Sequence, residues 1–214
     1  MNEHSFTYPT RDNMARAAKQ AKNSVADKRE AILRAGVKVF AAKGFFNSNV
    51  ADVAKEAGVA DGTVYLYFKG KDDILHSIFD RAMAEFIAEG RRELAKSDDP
   101  ARQLAKIAEV HLSRLGADRS LAVVFQIELR GSTKFMEAFS AAAFAEYLEI
   151  IRKTIESGQR AGVFRDDVKP IIAAKMFYGA LDEMVTNWIL SKRPYPLEPL
   201  AGEVVKVFLG GLKA

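Results

Sequence analysis

The stretch that most constrains this chain is Val50 to Phe68, VADVAKEAGVADGTVYLYF, whose spacing predicts two short helices broken at a glycine. Val53, Ala54 and Ala57 recur at helical spacing, Gly58 supplies the left-handed or tight backbone that stops the first helix, and Val59 fills the corner. A second helix of about two turns follows. Val64 and Phe68, four residues apart, face inward, which leaves Gly62, Thr63, Leu66 and Tyr67 pointing out. This is the pattern of a helix-turn-helix, in which the outward face of the second helix enters the major groove of DNA. Any small helical hairpin with a glycine corner gives the same spacing.

The charge distribution favours the first reading. The chain has a formal net charge of +4, yet residues 1–71 hold 12 Lys and Arg against 7 Asp and Glu, and the remainder 20 against 21. The whole excess lies on the motif, as binding to a polyphosphate requires; a solvated basic face is the alternative.

Around the motif the chain reads as all-α. Residues 1–25 are polar, carry Arg11, Arg16, Lys19 and Lys22, and are expected to form a flexible basic arm, either a plain leader or a minor-groove contact. Residues 26–71 form a three-helix DNA-binding domain. Its first helix has Ile32, Leu33, Gly36, Val37 and Phe40 on one face; Gly44 ends it, and Ser48 or Asn49 caps the next. Residues 72–214 are expected to form a larger, all-helical second domain. Helices are expected over about 71–96, from the Asp99 cap and Pro100 to Gly116, over 118–131, 134–158, 170–190 and 198–212. The segment from Pro170 to Leu190 is apolar nearly all round, so it must be covered on more than one side.

Several classes of function find no support. With no cysteine there is neither a disulfide framework nor a thiolate metal site. No apolar run approaches the length of a membrane span and no export signal precedes the domain, so a cytoplasmic location is expected. The three histidines are scattered, and GxSxG, HExxH, GxGxxG and phosphate-loop patterns are missing. Asp182, Glu183 and Glu128 could meet as a metal or acid-base cluster, but such residues more often form an ion pair, here with Arg130 or Lys175, or a rim facing water. No catalytic residue, metal or cofactor is assigned.

The run GVADGTVYLYFKGKDDIL resembles the recognition helix and following helix start of the TetR family of transcriptional repressors. The resemblance implies that Thr63, Tyr67 and Lys71 face DNA phosphates, that Gly62, Tyr65 and Leu66 face the groove, and that Ser48 is the hydroxylated position before the first helix of the motif. Two positions depart from the family pattern, Asn49 and Ala60; Asp61 is left to cap the recognition helix in place of a hydroxylated residue. The family layout also implies a homodimer joined through the last two helices, with Val185 and Phe208 in the seam, on a palindromic operator in double-stranded DNA.

The runs LAVVFQIELRGS, GQRAGVFRDD and MFYGALDEMVTNWIL further resemble the fatty-acid-degradation regulators of that family, repressors released from DNA by long-chain acyl-CoA. An acyl chain would then lie among Phe125, Leu129, Phe144, Tyr147, Leu148, Ile151, Phe177, Leu181, Met184 and Trp188, with basic side chains holding the coenzyme phosphates at the mouth. Leu181, Met184 and Trp188 share one helix face, as do Phe144, Tyr147, Leu148 and Ile151, although side chains of this kind are more often ordinary core than ligand contacts. A repressor sensing another apolar ligand, such as a drug or lipid, is the rival within the fold; a small-molecule enzyme on a helical bundle is the rival outside it.

Overall fold

The computed structural model of the chain describes residues 11–128, 130, 131, 142–193 and 195–213, with side chains from residue 25 onward. The described secondary structure is helical, apart from one isolated bridge between Phe164 and Lys213.

Helix α1 spans Arg11–Lys43 and buries Ile32, Leu33, Ala35, Val39 and Phe40. It starts well before the expected boundary near residue 26: the backbone is helical through most of the segment expected as a flexible arm. Beyond Pro9 that segment contains no proline or glycine and is rich in Ala, Arg, Lys and Gln, all strong helix formers. Residues 1–10 lie outside the described residues. Gly44, at φ 79°, turns the chain out of α1, and Phe45 folds back edge-on to Phe40 at 5.3 Å.

Helix α2 (Val50–Ala57) is capped by Asn49 rather than Ser48. The Asn49 side chain accepts from the Asp52 N–H while the Asp52 carboxylate accepts from the Asn49 N–H, a reciprocal capping box. Gly58 ends α2 at φ 69°, as its left-handed role requires. Helix α3 is short, Asp61–Tyr65, and Asp61 is its first residue; Ala60 stands at the cap and makes no side-chain cap bond. Val64 and Phe68 are buried, as their spacing predicts.

Helix α4 (Lys71–Leu94) belongs to both halves of the molecule. Its first turns give Ile74, Leu75 and Ile78 to the core under α1, where Gly36 lets the backbones close: a Cβ there would lie 2.8 Å from Ile74 and 3.0 Å from Ile78. Its later turns give Met83, Phe86 and Ile87 to the second core. The expected boundary at residues 71 and 72 thus falls at the start of a continuous helix.

Helix α5 (Pro100–Ala117) begins as its sequence dictates, with Asp99 accepting from two backbone amides and Pro100 in the first turn. The next segment differs from the single helix expected over 118–131. Helix α6 covers only Arg119–Val123 and passes into a π-helical turn, Val124–Glu128. A π turn inserts one residue into the helical register and so re-aims the side chains that follow it. Helix α7 is described from Ala143 to Arg160; the earlier start expected near residue 134 lies outside the described residues. Helix α8 (Pro170–Leu190) packs against α7, and α9 (Leu200–Leu212) lies against α5 and α8.

Candidate functional site

The first candidate surface is the outer side of α3. Leu66 is 80% and Tyr65 59% exposed, and a Cβ added at Gly62 would meet nothing within 4 Å, so this face is open. Thr63 and Tyr67 lie half-buried at its edges, and Lys55 and Lys69 are exposed beside it. Two adjacent large side chains left in water at the end of a five-residue helix, Tyr65 its last residue and Leu66 its C-cap, mark this as a surface for a partner.

Two of the expected contact residues are placed differently. Ser48 is buried, and its hydroxyl donates to the Phe45 carbonyl at 2.8 Å. Lys71 turns its ammonium inward: it donates to the carbonyls of Phe45 at 2.9 Å, Ser48 at 3.0 Å and Phe46 at 3.4 Å, and lies 4.6 Å from the centre of the Phe45 ring. The turn between α1 and α2 is wrapped around this one cation, because its carbonyls have no helical partners and an ammonium offers three donors.

The second candidate is a cavity between α4, α5, α7, α8 and the π turn. Met83, Phe86, Leu115, Phe125 and Phe144 form its apolar wall, and His111, Gln126, Tyr147, Tyr178 and Asp182 its polar side. Its volume is about 30 Å³, room for about one water. Of the expected lining, Phe125, Phe144 and Tyr147 are brought together here. Ile151, Phe177 and Leu181 are wholly buried packing residues, Phe177 against Phe208 at 4.7 Å. Leu148 and Met184 are half-buried outside the cavity, and Leu129 lies outside the described residues. Trp188 closes the end of α8 instead: its indole N–H donates to the Tyr195 carbonyl at 2.8 Å and the Arg119 guanidinium lies over its ring.

The spacing of Leu181, Met184 and Trp188 does define one face of α8, but the cavity is met by a different one, through Tyr178 and Asp182, again four residues apart. The available signal is a pair of acids, Asp182 and Glu183, in a helix that is otherwise mostly apolar; burial falls on the first of them. Asp182 is buried and accepts from Arg130 at 2.6 Å, Gln126 at 2.8 Å and the Tyr178 hydroxyl at 2.9 Å. Three donors around one carboxylate satisfy it. Burial, helped by neighbouring Asp182, pushes the Tyr178 hydroxyl well above the ordinary phenol range.

Asp182, Glu183 and Glu128 serve separate partners. Glu183 is exposed and accepts from Asn187, whereas Glu128 reaches across to the turn after α1, where its carboxylate accepts from the Phe45 N–H at 2.6 Å. Among the described residues no cluster of His, Asp and Glu is arranged to hold a metal ion.

A third surface runs along α8 and α9. Ile172, Met176 and Leu190 on α8 and Val207 on α9 are exposed, Met176 to 64% and Val207 to 76%. Gly179, Gly202, Gly210 and Gly211 have open space where a Cβ would stand. Large apolar groups among bare glycines suit close approach of a second pair of helices. Val185, expected in that seam, is wholly buried within its own chain, and Phe208 is turned toward Phe177. No described helix is long and apolar enough to cross a membrane.

Comparison with known proteins identifies the family. Residues 32–78 match the family of bacterial regulatory proteins of the tetR type, and residues 79–211 match the C-terminal region of YsiA-like proteins. The fatty acid metabolism regulator protein of Bacillus subtilis is 35% identical over 181 residues, covering 85% of this chain and 93% of the relative. The crystal structure of the transcriptional regulator FadR from Bacillus subtilis in complex with stearoyl-CoA is similar at a TM-score of 0.81 and 34% identity, covering 85% of this chain and 98% of that one. The fatty acid degradation regulator FadR from Bacillus halodurans gives 0.82 and 35%, covering 86% and 95%. The chain belongs to the TetR family of transcriptional regulators, dimeric proteins that bind operator DNA and a small-molecule effector and are not enzymes.

Proposed function

We propose that this protein is a cytoplasmic repressor of fatty acid degradation genes, held on a palindromic operator as a homodimer and released by a long-chain acyl-CoA. The observation that carries the effector class is the likeness to the stearoyl-CoA-bound regulator, which extends over nearly all of that chain. An apolar cavity walled by Phe86, Phe125 and Phe144 is consistent with an acyl tail. The reading face consists of Gly62, Tyr65 and Leu66 toward the groove, with Thr63 and Tyr67 at the phosphate edges. Lys71 and Ser48 act one step back, by fixing the turn against which α2 and α3 rest.

The cavity is too small for an acyl chain as it stands, so the ligand selects or creates a state in which its walls have parted. Two routes carry that change to the reading face. One is α4, which lines the cavity at Met83 and Phe86 and begins at Lys71. The other is the π turn: Phe125 lines the cavity, and three residues on, Glu128 holds the Phe45 amide in the turn that Lys71 holds by its carbonyls. Parting α4 and α5 from α7 and α8 moves both routes together, which changes the separation of the two α3 helices in the dimer.

The experiment is release of the operator complex by a saturated acyl-CoA series. Each buried methylene contributes about 0.8 kcal/mol, so potency should climb about fourfold per carbon until the opened cavity is filled, then stop or fall. Release that ignored chain length, or that free coenzyme A produced equally well, would eliminate the acyl-CoA reading and leave the DNA-binding regulator standing.

A further inference from the structure

The polar side of the cavity contains one atom that the fold leaves unmatched. Gln126, Tyr178 and Asp182 bond to one another and to Arg130 or Thr186. Tyr147 is within 3.0 Å of His111 Nδ1. His111 Nε2 is fully buried and has no hydrogen-bond partner among the described residues. The residue as a whole is 4% exposed, on the apolar face of α5 with Leu104, Ile107, Ala108 and Leu115. A buried ring nitrogen without a partner is uncommon enough in a native fold to need a cause.

The chemistry of the pair fixes what that atom offers. Burial pushes the His111 imidazole down to about pKa 4, against a smaller upward pull from Asp182, so the ring is neutral at physiological pH. Burial likewise holds the Tyr147 hydroxyl protonated. If Tyr147 donates to Nδ1, Nε2 carries the ring proton and is a free donor. The opposite arrangement would strand two groups, the Nε2 lone pair and the Tyr147 proton, so the first is favoured. The cavity therefore presents one neutral N–H to an incoming acceptor.

Position decides which acceptor. Arg130, with its side chain 39% exposed, marks the solvent side of the polar cluster, and it bonds Asp182 and the Tyr178 hydroxyl. The half-buried Tyr178 ring lies 6.0 Å from the ring of His111, which is 4% exposed, so His111 is the more deeply buried of the two. The phosphates of a coenzyme must stay near the rim and water, while the tail continues past His111 toward Met83, Leu115 and Phe125. The group between head and tail is the thioester.

Resting on the acyl-CoA reading, we propose that His111 is a specificity-determining residue of the effector cavity, donating its Nε2 proton to the acyl carbonyl oxygen and fixing how deep the chain slides. A ligand lacking that oxygen would bury the Nε2–H without a partner, so the residue selects thioesters over chains of equal length that offer no acceptor there.

The test compares hexadecanoyl-CoA with hexadecyl-CoA, its thioether with a methylene in place of the carbonyl, as releasers of the operator complex. The wild type should respond to the thioester at about tenfold lower concentration. His111→Phe, which keeps a flat ring, should respond to both alike, and His111→Gln, which keeps an N–H donor, should retain part of the preference. Equal potency toward the wild type would overturn the anchor without touching the acyl-CoA reading, and it needs no variant to fold. A preference undiminished in His111→Phe would overturn it too. Failure of both compounds to release the wild-type complex would overturn the acyl-CoA reading and the anchor with it.

Discussion

The turn around Lys71 and the cluster around Asp182 both seat a charged group among polar partners, but the partners are of different kinds. Lys71 is held by backbone carbonyls of Phe45, Phe46 and Ser48, which cannot be exchanged without unmaking the turn. Asp182 is held by the side chains of Gln126, Tyr178 and Arg130, each able to rotate away while its helix stays intact. A cation locked onto main chain suits a reading head that must arrive preformed. A carboxylate ringed by side chains suits a cavity that must re-form around a guest, since one donor can be traded for another at little net cost.

The contrast can be broken at either end, and the effects should rank in order. The largest belongs to the surface outside both clusters. Met176→Asp places a charge in the exposed stripe of α8 without disturbing the monomer's core, so ultracentrifugation should show monomers and operator binding should disappear. Retained dimers would mean that this stripe is not the seam. Asp182→Ala strands the donors of Gln126 and Tyr178, while half-exposed Arg130 recovers some hydration. A loss of about 3 kcal/mol in denaturant unfolding is expected, with α1 to α3 still helical. A loss near zero would show that the cluster re-forms even without its centre.

The pH dependence sharpens the same comparison. The folded His111 titrates near 4 and the unfolded one near 6.5, so between those values the unfolded chain binds the extra proton. Stability attributable to His111 is therefore complete above about pH 6.5 and falls as pH drops toward about 4, by up to about 3 kcal/mol. Subtracting the stability profile of His111→Phe from that of the wild type should leave this limb alone; a flat difference would place the folded pKa near its ordinary value.

At the reading head, Lys71→Met leaves three carbonyls without their cation. Unfolding should become about 2 kcal/mol easier, and operator and random DNA should both lose affinity. The slope of affinity against salt should change by less than the unit expected of a direct phosphate contact; a full unit would return Lys71 to the DNA surface. Asn49→Ala, the smallest, removes one cap and should cost about 1 kcal/mol without altering effector potency. A shift in potency would mean that the two regions are coupled through α2 as well.

What could be read from the chain follows the same division. Gly58 as a helix stop, the inward pair Val64 and Phe68, and Asp99 with Pro100 at the start of α5 all depend on partners a few residues away, and local spacing specifies them. Local spacing narrows the cap of α2 to Ser48 or Asn49, and the structure selects Asn49. Glu128 finds its partner 83 residues away, Asp182 and Gln126 are 56 apart, and the Lys71 bonds span 23 to 26, so no local pattern announces them. The π turn is hard to read for another reason: it spans only Val124–Glu128, too few residues for a one-residue change of register to stand out from the apolar run around it. Trp188 shows the remaining limit: helical spacing says which residues share a face but not which face of a twice-covered helix meets the cavity.

Helix α4 is also a pointer with a length. At about 1.5 Å per residue its 24 residues span roughly 36 Å, with the cavity beside its middle and the reading unit fastened to one end. A tilt of about 5° about its far end would sweep the reading end through roughly 3 Å, and two protomers tilting in opposite senses would change the gap between their α3 helices by about twice that. Successive major grooves on one side of a duplex recur every 34 Å or so, which leaves little slack for such an error. On the proposed function, opening the cavity by a few ångströms would be enough to take the dimer off its operator, with no part of the reading head unfolding.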